Sequence, residues 1–360
     1  MKKFAILGGM ALAFAGDVSA QSSVNIYGLI DTGVSHVSNI GGGGKTGVDT
    51  GILSPNLLGF TGSEALGNGW NVVFKLENQF QVDSGQVVGG LFSHQAYVGM
   101  ESKQSGSLKV GMLDDFMFTE LALKRYGPSF PYISMQNLRQ GPFAALGVPD
   151  VPGGSFDFDR VGEGQRVANA VRYDSPVING FTVGVLYGLG ERAGSMSTGS
   201  SKSAGASYAN GPLTLTAAYT DVKYDTMNNG NDGVRNWGAG FRYDISDVPV
   251  DALYTNTKQT FTNANIDAFE IGVAIPLSEM THFVPAYTLM KGNDVLDNNK
   301  AYQLNFTLHH RLSKRTAVYI ATVHQKASGG ATAQAWIPLA GGSSSNGTQH
   351  VFRLGMQHGF

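Results

Sequence analysis

The chain has no cysteine, few charged residues and no long apolar run beyond its N-terminus. The absence of Cys from 360 residues excludes disulfides and thiolate metal sites. Charged residues make up only 14% of the chain, against roughly 25% in ordinary soluble domains. No later segment supplies the roughly 20 consecutive apolar residues of a membrane helix. The formal charge of −2 gives no reason to expect nucleic acid as a partner.

The N-terminus predicts a secretory signal peptide. Lys2 and Lys3 precede an apolar stretch at residues 4–16, and Val18-Ser19-Ala20 supplies small residues before a cut at Gln21. The alternative is a buried N-terminal helix, because the stretch is too short to span a membrane. We therefore expect residues 1–20 to be removed and residues 21–360 to form one domain.

What the chain does contain is alternation with a period of two, which is typical of β-strands. In "LTLTAAYT" (residues 213–220) every second residue is apolar, and Thr or Ala stands between them. The last run, "VFRLGMQHGF", keeps this pattern to the final residue, Phe360. Sixteen such runs are present, with centres near Gly28, Gly59, Phe74, Val98, Val110, Val171, Val185, Gly205, Ala217, Ala239, Leu253, Gly272, Ala286, Asn305, Ile320 and Gly355.

Short and long connectors alternate between these runs, which predicts an up-and-down meander. A soluble β-sandwich and a transmembrane barrel both fit such runs. The face opposite the apolar residues carries Gly, Thr, Ser, Asn, Lys, Glu and Arg, which suits a wet interior, and aromatic residues cluster where the apolar runs end. These features favour an all-β, 16-stranded antiparallel transmembrane barrel, wide enough for an aqueous channel.

A barrel in a bilayer must pair every backbone group and leave no edge. We therefore expect the last strand to pair with the first strand near Gln21, with Phe360 facing lipid or the interfacial belt. The even number of strands places both termini on the short-turn, periplasmic side.

Several segments resemble trimeric porins of Gram-negative bacteria of the β-proteobacterial type: "SSVNIYGLIDTGV", "LLGFTGSEALGNGW", "FSHQAYVGM", "RVANAVRYDSP", "NGFTVGVLYGLGE" and "LGMQHGF". The resemblance implies an outer-membrane homotrimer, in contact with lipid and lipopolysaccharide, that passes small hydrophilic solutes without a cofactor. It also implies that Phe360 helps the barrel-insertion machinery to recognise the chain. Trimer contacts would involve outward residues of the terminal strands, such as Ile26, Ile30 and Leu354.

The third long connector, residues 113–164 and here called loop 3, has no strand pattern, and loops this long are uncommon unless functional. Asp114 or Asp115 can cap a short helix, which Gly127 and Pro128 would end. Apolar side chains in the loop are suited to packing on a wall: Phe130, Tyr132, Ile133, Leu138, Phe143 and Leu146. The resemblance implies that loop 3 folds into the barrel and narrows it, whereas the alternative is a surface loop.

In the family, basic residues of the wall face acidic residues of that loop. This sequence retains Arg166 and Arg172 but has Leu57, Thr61, His94 and Met112 where basic residues are usual. The candidate loop residues are Asp114, Asp115, Glu120, Arg139, Asp150, Asp157, Asp159 and Arg160. We expect weak selectivity with at most a slight anion preference, and an acid-induced shift toward anions if His94 faces the water.

Three classes of function therefore stay open. A passive diffusion channel is favoured by the strand count and the wet inner face. A substrate-selective channel of the same fold is supported by the altered wall residues. An outer-membrane enzyme is the most distant alternative, because the sequence contains no nucleophile elbow and no zinc motif.

Overall fold

The computed structural model describes residues 23–134, 137–162, 165–331 and 333–360, and places the predicted signal peptide outside the described residues. Eighteen strands form one closed antiparallel sheet. Their bounds are β1 Ser23–Ile40, β2 Gly43–Thr50, β3 Leu57–Gly67, β4 Trp70–Gln79, β5 Gln95–Ser102, β6 Gly106–Leu113, β7 Val167–Asp174, β8 Phe181–Gly188, β9 Ser201–Asn210, β10 Leu213–Lys223, β11 Gly233–Ile245, β12 Val248–Gln259, β13 Asn265–Val273, β14 Ile275–Ser278, β15 Thr281–Gly292, β16 Lys300–Arg311, β17 Thr316–Ser328 and β18 Thr348–Gly359.

These eighteen strands make sixteen barrel strands, because two barrel strands are interrupted. β2 pairs with the second half of β1 and β3 with its first half. In the same way, β13 and β14 pair with successive parts of β15. Each predicted strand centre lies within a strand, so the predicted count of sixteen is confirmed.

Alternation along each strand separates an outward apolar face from an inward face. On β18, Phe352, Leu354 and Met356 are about half exposed, whereas Val351 and Arg353, which alternate with them, are buried. The predicted outward apolar face is therefore confirmed. Among the described residues, no helix is long and apolar enough to cross a membrane.

The seam between β1 and β18 closes the barrel at the C-terminus. The Phe360 N–H donates to the Gly28 carbonyl at 3.1 Å, and the Gly28 N–H donates to the Phe360 carbonyl at 3.2 Å. The predicted pairing of the last strand with the first is confirmed, from Leu29 opposite Gly359 to Val37 opposite Val351. Gln21 lies outside the described residues, and the described start of β1 pairs with β3, from Ser23 opposite Ser63. The Phe360 ring covers Gly28, where an added Cβ would lie 2.2 Å from a ring carbon.

The interruption between β2 and β3 turns residues 51–56 into the barrel. The N–H groups of Leu53 and Ser54 donate to the Asp31 carboxylate at 2.8 and 2.9 Å. The same carboxylate accepts from Tyr319 at 2.6 Å and pairs with Arg353 at 3.1 Å. This buried carboxylate therefore ties the inward turn to β1, β17 and β18.

We predict that deleting Phe360, or replacing it with Asp, impairs barrel assembly far more than conductance. Deletion removes a backbone pair and a ring from the seam, and an acidic side chain at the lipid boundary is costly, by up to a few kcal/mol at the midplane and less near the interface. The measurement is the amount of folded barrel in outer membranes, followed by single-channel conductance of the fraction that folds. Phe360→Trp is the control, because it retains an aromatic ring. Normal amounts of the truncated barrel would contradict the prediction.

Candidate channel constriction

Loop 3 begins with the predicted short helix. An α-helical turn, Phe116–Phe118, continues as a π-helix, Thr119–Lys124. Of the two candidate caps, Asp115 fills the role, since its carboxylate accepts from the Phe118 N–H at 3.3 Å. The chain then reaches Gly127, whose φ of 51° suits glycine and does not continue a helix. Short 3₁₀ turns follow at Gly127–Tyr132, Ala144–Leu146 and Pro152–Gly154.

Apolar side chains hold loop 3 against the inward faces of the strands. Phe116 and Leu121 lie in a buried cluster with Leu186 of β8 and Leu253 of β12. Further along, Phe143 and Leu146 are fully buried with Ile266 of β13 and Met290 of β15. These wall residues occupy the face opposite the outward apolar residues, so the loop runs inside the barrel. Tyr132 also meets the wall, with its ring stacked on His282 at 4.1 Å between centroids.

Glu270, on the inward face of β13, joins three residues of loop 3. Arg125 and Arg139 contact its two oxygens at 2.9 and 2.8 Å, and the Tyr126 hydroxyl donates to it at 2.5 Å. Arg125 also pairs with Asp251 on β12. All these groups are buried, so the charges of Arg125 and Arg139 are matched by wall carboxylates.

The second half of loop 3 is held by its own acidic residues. Arg160 pairs with the helix cap Asp115. Asp159 accepts from Thr255 of β12 at 2.8 Å and lies 3.4 Å from Arg139. Asp157 accepts from the Gly162 N–H at 2.7 Å, and burial, reinforced by the nearby Asp159, raises the pKa of Asp157 to about 8. Burial therefore disfavours the charged form of Asp157.

His94 lies between a carboxylate and a guanidinium. One ring nitrogen, Nδ1, contacts Glu77 of β4, and the other, Nε2, contacts Arg166, the residue before β7. A guanidinium can only donate, so the contact with Arg166 requires Nε2 to act as the acceptor. The side chain is 2% exposed. The condition for an acid-induced shift toward anions, a His94 that faces the water, is therefore not met.

The two retained wall arginines meet at the start of loop 3. Arg166 lies 3.2 Å from the Asp114 carboxylate. Arg172 of β7 donates to the Asp114 carbonyl at 2.8 Å, pairs with Asp174 at 2.6 Å and lies over the Phe116 ring at 4.0 Å. Both guanidiniums therefore contact their anionic partners directly.

The other predicted wall residues divide between the two faces of the sheet. Leu57 and Thr61 lie on the inward face of β3 with Gly59. Met112 does not line the channel. It pairs with Ala96 and shares the outward face of β6 with Leu108, so its placement on the wall is wrong.

The two remaining predicted loop residues, Glu120 and Asp150, do not face the wall arginines. Glu120 pairs with Lys124 at 2.8 Å, one turn further along. Asp150 is exposed, and neither of its predicted arginine partners is among its contacts in the described part of the chain.

Several charged residues of the strands that face inward are absent from the sequence-based prediction, and four of them show why. Asp251 and Glu270 anchor loop 3, and Lys75 and Lys109 face inward on β4 and β6. Lys75 pairs with Glu77 at 3.0 Å, and Lys109 lies over the Tyr97 ring at 5.5 Å. Alternation within "VDALYTN", "AFEIGV", "NVVFKLEN" and "SLKVGML" could have found all four, since each is a charged residue on the inward face.

The chain is similar to known outer-membrane proteins over most of its length. A family profile described as Gram-negative porin matches residues 8–330. Outer membrane porin protein 32 of Delftia acidovorans is 27% identical over 371 residues, which cover 100% of both chains. An outer membrane porin protein of Bordetella pertussis is 26% identical over 314 residues, covering 77% of this chain and 74% of its own. The solved structure of the anion-selective porin from Comamonas acidovorans superposes with a TM-score of 0.77 at 23% identity, covering 94% of this chain and 100% of that chain.

We predict that Glu270→Gln loosens loop 3. The substitution leaves two buried guanidiniums without a full counter-charge, which costs about 3–5 kcal/mol when a buried pair loses one partner. The readouts are the unfolding midpoint in detergent, which should fall, and the current fluctuations of single open channels, which should increase. Glu101→Gln is the matched control, because Glu101 is an inward carboxylate of β5 outside these anchors. Equal behaviour of the two variants would show that Glu270 does not hold the loop.

Proposed function

The chain belongs to the family of Gram-negative porins, and we propose that its channel is only weakly ion-selective, with at most a slight anion preference. The protein is an outer-membrane porin, a water-filled β-barrel for passive diffusion of small hydrophilic solutes. It is a channel and not an enzyme. The proposal concerns the residues that set its selectivity.

Direct ion pairing at the constriction is the observation that carries the proposal. Charges separated across a narrow, low-dielectric gap produce a strong transverse field that sorts ions. Arg166 with Asp114, and Arg172 with Asp174, are instead in contact at 3.2 and 2.6 Å. Contacting pairs of opposite charge act as short dipoles whose field falls off steeply with distance. A passing ion therefore meets little net charge.

The course of loop 3 supports a channel between the loop and the wall formed by β3 to β6. Most anchors of the loop lie on the other side of the barrel, from β8 to β16, such as Leu186, Glu270 and Ala301. On the facing wall, Lys75 is paired with Glu77, and Leu57 and Thr61 stand where basic residues are usual. For this reason we do not extend the anion selectivity of the Comamonas acidovorans porin to this chain.

A substrate-selective channel is the second candidate. A cavity of about 440 Å³ at the short-turn end is lined by Tyr132, His309 and Arg311, among others. A preferred anionic solute could dwell there. Flux that saturates with solute concentration would favour this candidate over passive diffusion.

We also propose that the protein is a homotrimer that contacts lipid and lipopolysaccharide and is recognised through Phe360 by the insertion machinery. Ile26 and Leu354 are exposed on the outward face of the seam strands, at 64% and 51%. An apolar groove of about 600 Å³ runs beside Leu354 over β15 to β18 and β1. A heat-sensitive trimer band on gels is the expected result. Recovery of the mature chain as a monomer without detergent would contradict the proposal.

We predict that the double substitution Arg166→Ala, Arg172→Ala shifts the reversal potential under a salt gradient toward cations. The substitution leaves Asp114 and Asp174 without these cationic partners, so the constriction gains net negative charge. Added salt should shrink the shift, because the Debye length falls from about 30 Å at 0.01 M to about 3 Å at 1 M.

The control for this experiment is Lys103→Ala, Arg192→Ala, which removes the same charge from two connections outside the constriction. An unchanged reversal potential in the Arg166 and Arg172 variant at low salt would show that these arginines do not form the filter. The channel would then be a wide, unselective pore.

A further inference from the structure

A row of cations follows the outward face of the barrel at its long-loop end. Six of the strands from β9 to β17, namely β9, β11, β12, β15, β16 and β17, contribute one residue each, and we call the set the outer cation row. Its members are Lys202, Arg235, Lys258, Lys291, Lys300 and Lys326. Each lies an even number of residues from an outward apolar or aromatic residue of its own strand. The row is therefore on the lipid side and not in the channel.

Two pairs within the row place like charges directly opposite each other. Arg235 of β11 pairs in register with Lys258 of β12. Lys291 of β15 pairs in register with Lys300 of β16. Like charges at directly opposed positions destabilise an antiparallel pair. A bound anion between the side chains would remove this cost.

The carboxylates of the same surface are too few and are otherwise engaged. Asp221 of β10 lies opposite both Lys202 and Arg235. Asp267 of β13 lies opposite Lys291 but accepts from Tyr254 at 2.7 Å and from Asn256 at 2.8 Å. Two carboxylates thus accompany six cations. Within the described part of the chain, none of the six forms an ion pair, in contrast to the outer-surface pair Arg192 and Asp225.

The height of the row is set by the aromatic residues beside it. Tyr219, Trp237, Phe269 and Tyr302 stand two residues from Asp221, Arg235, Asp267 and Lys300 respectively, on the membrane side. Tyr254 bridges this belt, with ring centroids 5.2 Å from Trp237 and 4.8 Å from Phe269. Such aromatic belts mark the membrane–water interface. The row therefore lies at the level of lipid head groups.

The row is confined to one sector of the barrel. On β2, β4, β6 and β7, the basic residues Lys45, Lys75, Lys109 and Arg172 lie on the inward side of the register. At the same end, the outward positions of the seam strands carry His36, His324 and His350 and no Lys or Arg apart from Lys326 of β17 within the described residues. The sector from β9 to β17 is thus the part of the surface suited to an anionic head group.

We propose that the outer cation row binds the phosphate groups of the phosphorylated glycolipid of the outer leaflet, the lipid A part of lipopolysaccharide. Each phosphate would lie between the cations of neighbouring strands, and the acyl chains would cover the aromatic belt below. Lys and Arg near a membrane surface each favour binding to anionic lipid. The inference rests on the proposed contact with lipopolysaccharide and names the residues that would make it.

The first test compares binding of bisphosphorylated lipid A to detergent-solubilised protein, without divalent cations. We expect Lys291→Gln, Lys300→Gln to weaken binding roughly tenfold to thirtyfold. Lys314→Gln, Arg315→Gln is the matched control, because it removes two positive charges from the short turn at the other end and should leave binding unchanged. The unaltered protein should bind dephosphorylated lipid A about as weakly as the Lys291 and Lys300 variant binds bisphosphorylated lipid A. Equal affinities for the two lipids would overturn the proposal.

The second test uses the like-charge pairs as an internal readout. Without lipid A, Lys300→Gln should raise the unfolding midpoint, because it removes a repulsion across β15 and β16. With bisphosphorylated lipid A the order should reverse, since the variant has lost a phosphate ligand. Inorganic phosphate at the same concentration should not produce this reversal; if it does, the row is a site for a free anion and the proposal fails. Single-channel conductance should be unchanged in Lys300→Gln and in Lys291→Gln, Lys300→Gln. A failure of the lipid A proposal can therefore be distinguished from a failure of the proposed channel function.

Discussion

The pairing of every backbone group within a closed sheet is the constraint on which the whole structure depends. A bilayer core offers no water to unpaired N–H or C=O groups, so the strands must pair on both sides around a ring. Once the ring is closed, alternation assigns each residue to the lipid or to the lumen. The position of Phe360 follows from this constraint, because the last strand can close the ring only if it is ordered to its end against Gly28.

Inside the ring, loop 3 and the wall residues pack together as the interior of a small soluble protein does. Its apolar side chains pack against wall residues, and its buried guanidiniums are matched by carboxylates on β12 and β13. Desolvation makes buried charges costly unless both partners and their remaining hydrogen bonds are in place. Glu270 meets this requirement for two arginines and a tyrosine at once. The loop is therefore positioned by the wall as firmly as by its own helix.

The sequence predicts the elements of this fold well because their signals are local. A period of two identifies the strands and their outward faces, and the apolar side chains of loop 3 indicate packing on a wall, while its inward course is implied by the family resemblance. The contacts of the site are not local. Arg125 and Glu270 are far apart in the chain, and only the barrel register brings them together. The family resemblance places Met112 on the wall, whereas its alternation with Lys109 and Gly111 places it on the outward face. The burial of His94 could not be read from sequence, since it depends on Glu77 and Arg166 from different segments.

The one-sided attachment of loop 3 separates the residues that stabilise the barrel from those that meet the solute. Substitutions on the anchoring wall disturb a packed interior and cost stability. On the facing wall, Leu57 and Thr61 are only partly buried on the inward face of β3, so their exchange should cost folding less. Selectivity can therefore diverge among related channels by single substitutions while the barrel and its loop stay the same. Leu57 and Thr61 are the side chains of the facing wall at which such a change of selectivity would require least rearrangement.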